Sequence, residues 1–153
     1  MSGVQIEPAT ASDLAAMEAL LAANQLPTAG LKDSIGTALV ARVGSRTIGC
    51  AALEVYPSGV LLRSVAVDDA WRGRGIGHQL TSAGLELARS LGVEAAYLLT
   101  TTAGDFFPRF GFARVERADV PDDVKQSVEF RSACPTSALV MQLELSGSCP
   151  LRP

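Results

Sequence analysis

The sequence predicts a single α/β domain: one mixed, mostly antiparallel sheet with helices on both faces. Three observations support this fold class. The chain has 153 residues and is 48% hydrophobic, which is enough for one substantial core. Strand-like and helix-like segments follow one another along its whole length. Three strand-like segments also occur in a row near the middle, an order typical of a mixed sheet.

The N-terminal half predicts a strand, a helix and a three-stranded meander. Residues 4–8 are typical of a short strand. Thr10 and Asp13 form a capping pair before a helix whose apolar residues recur at helical spacing. A second short helix is predicted at 31–35. Three strands follow at 37–43, 47–57 and 60–68, separated by Gly-Ser and Ser-Gly turns.

The C-terminal half predicts alternating helices and strands. A glycine-rich turn leads into a helix over 76–91, which ends at Gly92. Strands are predicted at 93–102, 112–117 and 137–145, with a short helix or turn at 103–111 that Pro108 ends or distorts. We expect one domain over residues 1–146 and a disordered tail over 147–153.

Charge, hydropathy and cysteine content argue against several classes of binding partner and site. The net charge of -3 argues against a general nucleic-acid binder. No apolar run is long enough to span a membrane, and the N-terminus does not resemble a signal peptide. The cysteines, Cys50, Cys134 and Cys149, are odd in number and far apart, and the chain has one histidine, His78. We expect a cytoplasmic protein without a metal, a nucleic-acid partner or a membrane partner; a homodimer remains open.

The segment DAWRGRGIGHQL, residues 69–80, has the composition of an anion-binding turn. Its glycines stand at alternate positions, with Arg72 and Arg74 between or before them. Glycine allows positive φ and close approach of a ligand, and amides at a helix start bind anions. The P-loop pattern fails because no Gly-Lys pair exists, and the dinucleotide pattern fails because His78 occupies its third glycine position. A diphosphate is the anion that such a turn suits best.

The spacing Arg-x-x-Gly-x-Gly, realised as Arg72, Gly75 and Gly77, resembles motif A of the GNAT superfamily of acetyl-CoA N-acetyltransferases. It follows the strand LLRSVAVDD and precedes a helix, and FFPRFGF lies at the distance downstream that this superfamily shows. The resemblance extends over nearly the whole chain. It implies the GNAT fold, in which two strands, here 62–67 and 96–101, splay apart to admit the thioester.

The resemblance also implies which residues bind acetyl-CoA. Backbone groups of Val65, Ala66 and Val67 would bind the pantetheine arm. The residues whose amides would surround the pyrophosphate are Arg72, Gly73, Arg74, Gly75, Ile76 and Gly77. Phe106, Phe107 and Phe110 would pack along the cofactor, the alternative for them being core packing.

Three segments indicate a particular group within the GNAT superfamily: LLRSVAV, YLLTTTAGDFFPRFGF and PDDVKQSVEFRSACPTSA. They are similar to the acetyltransferase domain of N-acetylglutamate synthases and, most of all, to small GNAT proteins linked to arsenic-resistance operons. The implied acceptor is a small α-amino acid with a second anionic group, such as phosphinothricin or arsinothricin. The alternatives are glutamate itself, a protein amine, or a module that binds acyl-CoA without catalysis.

An amino-acid acceptor carries a carboxylate, so the candidate acceptor-binding residues are those that can bind a carboxylate. Arg63 interrupts an apolar strand, which is costly unless it faces a cleft or has a partner. It either binds the acceptor, lies on an exposed face, or pairs with Glu54. Arg131 is a second candidate, with a surface charge as its alternative. Thr100, Thr101 and Thr102 end a strand where the cleft would open, although threonine also favours strands in general.

The general base is left open by the sequence. An amine must lose its proton before it attacks a thioester, so a base or a water chain is needed. The general-acid tyrosine of many GNAT enzymes is replaced by Phe107, and the usual glutamate is missing from the strand before the turn. Glu54, on the preceding strand, is the nearest candidate, unless it is simply a solvated carboxylate. Ser64 is a candidate for holding a water relay.

Overall fold

The computed structural model describes residues 3–100, 104–133 and 138–145. Its core is a seven-stranded sheet in the order β1-β2-β3-β4-β5-β7-β6. The strands are β1 (Val4–Pro8), β2 (Ala38–Val43), β3 (Arg46–Tyr56), β4 (Gly59–Val67), β5 (Ala95–Thr100), β6 (Ala113–Val115) and β7 (Leu139–Glu144). Neighbouring strands are antiparallel except for β4 and β5, which run parallel. The predicted fold class is confirmed.

Two α-helices cover opposite faces of this sheet. In α1 (Leu14–Ala23), buried leucines pack with Cys50 and Ala52 of β3. In α2 (Ile76–Ser90), buried apolar residues pack against the alternate β3 residues, Ala51 and Leu53. Alternation along a strand sends successive side chains to opposite faces, so each helix covers its own face. Of the helices in the described ranges, none is long and apolar enough to cross a membrane.

Short helical segments complete the described chain. The 3-10 turns are Ala11–Asp13, Leu31–Thr37, Asp69–Trp71, Phe107–Phe110, Arg117–Asp119 and Val124–Gln126, and Glu129–Ala133 is a π-helix. The predicted helices at 31–35 and within 103–111 are present as 3-10 turns. The segments between β6 and β7 had no predicted structure. They pack on the α1 face of the sheet, where Val120 and Val124 join the buried cluster that contains Leu61 and Tyr97.

β4 and β5 pair only at their beginnings and then separate. Their ladder consists of Val60 opposite Ala96 and Leu61 opposite Tyr97. Beyond these pairs β5 continues along β7 to Thr100, while β4 continues along β3 to Val67. The β3–β4 register shifts at a bulge that includes Ser64, whose φ of 62° is left-handed. The resulting gap between the two strands, called the wedge below, is the splay that the resemblance implied.

Asp13 both caps the start of the first helical segment and pairs with Arg42 of β2. Its carboxylate accepts from the Thr10 amide at 2.8 Å and from both terminal nitrogens of Arg42 at 2.8 Å. The hydrogen bond from Arg42 is the largest cause that lowers the pKa of Asp13 to about 2. The capping box predicted from Thr10 and Asp13 is therefore present, and it is tied to the sheet.

We expect Asp13→Asn to lower the free energy of unfolding by about 2 kcal/mol at neutral pH, since it removes charged hydrogen bonds from a buried group. Because the folded-state pKa is depressed, the contribution is complete above the unfolded pKa of about 4 and is lost as pH falls toward 2. Urea unfolding of both proteins at pH 7 and pH 2.5 checks this. A difference that stays constant across that range would contradict it.

Candidate active site

The glycine turn joins the end of β4 to α2 at the mouth of the wedge. Gly73 and Gly75 have φ values of 81° and 80°, which other residues adopt only with strain. Gly75 is the N-cap of α2, and Gln79 donates the first helical hydrogen bond to its carbonyl. The first amides of a helix have no acceptor within it. The turn therefore directs backbone donors and a helix dipole toward one side, an arrangement that binds anions.

The two arginines of the turn are held by neighbouring side chains. Arg72 pairs with Asp69 at 3.2 Å and donates to Oδ1 of Asn24 at the end of α1. The amide nitrogen of Asn24 lies 3.4 Å from the Val67 carbonyl at the end of β4. The Arg74 guanidinium lies 4.7 Å from the ring centroid of Trp71. Both cations stay near the turn, where they can pair with a phosphate.

Gly77 lies between the turn and the aromatic residues that follow β5. A Cβ at Gly77 would lie 3.8 Å from both Phe106 and Val67. Phe110 contacts His78 of α2, with ring centroids 4.8 Å apart. Phe106, Phe110 and Gly77 thus border the wedge beside the turn.

Phe107, unlike Phe106 and Phe110, is buried in the core. It is 8% exposed and packs edge-on against Phe112 within the core on the α2 side. Its burial favours core packing, the alternative for Phe107: the 3-10 turn that contains it points its ring inward, and its neighbour Phe106 stays partly exposed.

A buried group of ionisable side chains lies on the α1 side of β3 and β4. Nη1 of Arg63 is 2.7 Å from Oε2 of Glu54, and its Nε is 3.3 Å from Oε2 of Glu129 in the π-helix. Nε also donates to Oγ of Ser64 at 2.9 Å. The hydroxyl of Tyr56 donates to Oε1 of Glu54 at 2.6 Å. We call these five residues the acid–arginine cluster.

Strand register explains how the cluster forms. Arg63 lies opposite Ala52, and Glu54 lies opposite Leu61. Arg63 and Glu54 are therefore diagonal neighbours on one face, within reach for long side chains. The loop after α1 closes over them: the Pro27 carbonyl accepts from Nη2 at 3.2 Å, and a Cβ on Gly30 would come within 3.2 Å of Nη1. Of the alternatives for Arg63, the structure shows the pairing with Glu54 and excludes an exposed face.

Burial is uneven within the cluster. The Arg63 side chain is 0% exposed, while those of Glu54 and Glu129 are 10% and 5% exposed. Glu54 is therefore not a solvated carboxylate. Burial, followed by the hydrogen bond to Glu54, raises the pKa of Tyr56 to about 12, so its hydroxyl keeps its proton and remains a donor. The guanidinium forms the inner part of the cluster, and the carboxylates form its outer part.

The cluster borders the wedge. Arg63 comes two residues after Leu61, the last β4 residue paired with β5, and the Ser64 bulge follows at once. At about 3.3 Å per strand residue, the backbones of Arg63 and Ser64 lie within about 7 Å of that of Val65. The Arg63 end of the cluster is therefore the part nearest to Val65–Val67, and Glu54, opposite Leu61, lies farther from it.

The other candidate residues are more dispersed. Thr100 is 9% exposed at the end of β5, whereas Thr101 and Thr102 lie outside the described residues. Arg131 is exposed in the π-helix, close in sequence to Glu129. Cys50 is buried, and burial raises the pKa of its thiol to about 12, which leaves it unsuited to nucleophilic catalysis.

Glu129, Tyr56 and Asn24 were not predicted as site residues. The sequence contains only an indirect signal for Glu129. An arginine inside an apolar strand requires buried partners, and Glu54, on the neighbouring strand, was the one partner that the predicted topology placed near Arg63. Glu129 lies within the SVEF segment that carried the resemblance, yet nothing in its spacing connects it with Arg63.

Comparisons with known proteins agree with this architecture. Residues 34–114 match the family model described as an acetyltransferase (GNAT) domain. An uncharacterised N-acetyltransferase of Chlorobaculum tepidum is 31% identical over 68% of this chain and 69% of its own length. The amino-acid acetyltransferase of Mycobacterium tuberculosis is 39% identical over 52% of this chain, a match that spans 45% of that protein.

A solved structure extends the likeness beyond the matched segment. The structure of Rv2747 from Mycobacterium tuberculosis, in complex with CoA and NLQ, superposes with a TM-score of 0.79 at 27% identity. The superposition covers 92% of this chain and 99% of that one. The wedge, the glycine turn and the family match thus agree, and the chain belongs to the GNAT family of acetyltransferases.

Proposed function

We propose that this chain transfers an acetyl group from acetyl-CoA to the amino group of a small amino-acid-like acceptor. The observation that carries the proposal is the adjacency of two features: an anion-binding glycine turn at the mouth of the wedge, and a buried acid–arginine cluster beside it. The first suits the diphosphate of CoA. The second contains two carboxylates, groups that can bind an ammonium and accept its proton.

The favoured acceptor is a glutamate analogue of the phosphinothricin or arsinothricin type, which would give the protein a role in arsenic resistance. The resemblance of LLRSVAV and the SVEF segment supports it, as does the relative that is named an amino-acid acetyltransferase. Arg131 and the threonines at 100–102 are the proposed partners of the acceptor carboxylates. Glutamate itself is the second candidate.

The reaction needs no covalent enzyme intermediate. Glu54 takes a proton from the acceptor ammonium, and the resulting amine attacks the thioester carbonyl. A backbone amide of Val65–Val67 stabilises the oxyanion. The new C–N bond is retained, the C–S bond breaks, and CoA leaves as the thiolate. The protons released by the nitrogen pass to Glu54 and then to solvent or the departing sulfur.

Release of free CoA thiol tests the proposal. The protein is incubated with acetyl-CoA and, separately, with phosphinothricin, arsinothricin, glutamate, glutamine and a peptide with a free N-terminus. The expected result is acceleration by the glutamate analogues. If the peptide alone accelerates release, the small-acceptor proposal is wrong; if CoA binds and no amine accelerates release, the chain is an acyl-CoA-binding module.

Gly77, which borders the wedge, provides a test of the proposed acetyl-CoA site alone. We expect Gly77→Val to raise the Kd of acetyl-CoA by at least about 100-fold, since its side chain would fill the space beside Phe106 and Val67 where the pantetheine would lie. Trp71, the single tryptophan, contacts Arg74 and reports binding by fluorescence.

Gly84→Ala is the matched control, since it also replaces a glycine of α2 but lies beside Leu62, away from the turn. It should leave the Kd unchanged. Tight binding of acetyl-CoA by the Gly77→Val variant would place the cofactor elsewhere.

A further inference from the structure

We propose that Thr81 of α2 is a further acetyl-CoA-binding residue, whose hydroxyl donates a hydrogen bond to a carbonyl oxygen of the pantetheine arm or its thioester. This inference rests on the proposed function and deepens it, because it names a side chain that binds the donor beyond its diphosphate. Thr81 lies outside the glycine turn and outside the backbone of β4, to which the resemblance assigns the arm.

The Thr81 hydroxyl is buried without a partner. The residue is 0% exposed, and among the described residues its Oγ1 is the one buried side-chain nitrogen or oxygen that lacks a hydrogen bond. A threonine within a helix can donate to the carbonyl four residues earlier, here that of Gly77, but Oγ1 does not. A buried hydroxyl left unpaired costs stability. A ligand that brings an acceptor to Oγ1 would remove that cost.

The position of Thr81 around α2 places it on the side of the helix that faces the wedge. At about 100° per residue, Thr81 lies about 40° from Gly77 and about 40° from Leu85, between the two. A Cβ on Gly77 would approach Val67 of β4, whereas Leu85 belongs to the buried cluster that includes Leu98 of β5. Thr81 therefore lies between the part of the helix over β4 and the part directed toward β5.

The depth of Thr81 along the wedge follows from the glycines on either side of it. A Cβ on Gly77 would meet Val67, and one on Gly84 would lie 3.5 Å from Leu62, so α2 runs back along β4 from the turn. Thr81 comes between these glycines and is level with the β4 bulge, past which the two strands are apart. It lies about 6 Å deeper than Gly77, one helical turn from the proposed diphosphate site. An arm that enters the wedge from the turn would pass it.

The chemistry of the arm suits a neutral hydroxyl donor. The arm carries two amide carbonyls and ends in the thioester carbonyl, and a few placed polar groups in an apolar site can orient such a ligand. Val65, beside the bulge, is partly exposed and packs against the apolar clusters on the α2 side, so a shift of this side chain would open Oγ1 to the wedge. Because the hydroxyl is already desolvated, pairing it with a carbonyl oxygen would cost no further desolvation of the donor.

Thr81→Val tests the proposal, because it replaces the hydroxyl with a methyl group and keeps the branched shape. Trp71 fluorescence gives the Kd of acetyl-CoA, of CoA and of ADP, which has a diphosphate but no arm, all without an acceptor. We expect the Kd of acetyl-CoA to rise at least about fivefold and that of ADP to stay within about twofold. An equal rise for CoA would assign the hydrogen bond to an amide carbonyl, and a rise for acetyl-CoA alone would assign it to the thioester.

Two matched variants control for changes other than the loss of this hydroxyl. Thr81→Ser keeps the hydroxyl and should bind acetyl-CoA within about twofold of the wild type. Ser82→Ala removes the next hydroxyl of α2, which is partly exposed, and should change none of the three constants. If Thr81→Val folds poorly, Thr81→Ala takes its place with the same expected result.

The inference is overturned if the variant without the hydroxyl binds acetyl-CoA within about twofold of the wild type. It is also overturned if the Kd of ADP rises by the same factor as that of acetyl-CoA, because the substitution would then act through the glycine turn and not through the arm. A wild-type protein that binds acetyl-CoA but acetylates no acceptor would overturn the proposed function and leave the role of Thr81 standing.

Discussion

Replacing Glu54 with glutamine is expected to lower kcat for the best acceptor by about 100- to 1000-fold, the range typical of a lost general base. The amide keeps the size of the side chain: its oxygen can accept from Nη1 of Arg63, and its NH2 can donate to the Tyr56 hydroxyl oxygen, so the cluster should stay assembled. It cannot take the proton of the acceptor ammonium. Acetyl-CoA binding, reported by Trp71, should stay within about twofold of the wild type, because the glycine turn is untouched.

Steady-state kinetics with acetyl-CoA and a saturating concentration of the best acceptor measure this effect. Tyr56→Phe is the graded comparison: it removes one hydrogen bond to Glu54, keeps the carboxylate, and should cost less than about tenfold in kcat. If Glu54→Gln keeps more than a tenth of the wild-type kcat, a water relay held by Ser64 becomes the better explanation, and Ser64→Ala tests it.

The fold and the glycine turn could be predicted from the sequence because their determinants are local. Hydrophobic periodicity located the strands, and the capping pair of Thr10 and Asp13 located the first helix. The glycine turn needs positive φ at Gly73 and Gly75 within a few residues of a helix start, and the spacing of the glycines in the sequence predicts these positions. The wedge followed from the resemblance and is confirmed by the short β4–β5 ladder.

The acid–arginine cluster could be predicted only in part, because its contacts join distant segments. The possible pairing of Arg63 with Glu54 followed from adjacent strands. The approach of Glu129 depends on how the turns between β6 and β7 pack over the sheet, and no periodicity in that region predicts it. Phe107 shows the same limit: the sequence places an aromatic group near the wedge, but only packing decides that Phe106 borders it and Phe107 is buried.

The second large effect concerns stability. Arg63→Met is expected to lower the free energy of unfolding by about 3–5 kcal/mol, because it removes a fully buried cation that pairs with two buried carboxylates. The hydrophobic stem is replaced by one of similar length, so lost packing contributes little. Urea unfolding followed by Trp71 fluorescence measures the change. Arg63→Lys, which keeps the charge but not the planar set of donors, should show a smaller loss.

A double-mutant cycle with Glu129→Gln separates positioning from acceptor binding. If Arg63 holds Glu129, removing both groups should cost less than the sum of the single losses, with a coupling of about 1–3 kcal/mol. The Ki of glutarate, which keeps both carboxylates of glutamate but has no amino group, reports carboxylate binding alone. Folded Arg63→Lys protein should then show a larger change in kcat than in glutarate Ki, since the carboxylates of the cluster shift but no carboxylate-binding group is lost. The opposite pattern, with additive stabilities and a glutarate Ki raised more than tenfold, would identify Arg63 as the residue that binds the acceptor carboxylate, with the two glutamates as the partners it exchanges for substrate.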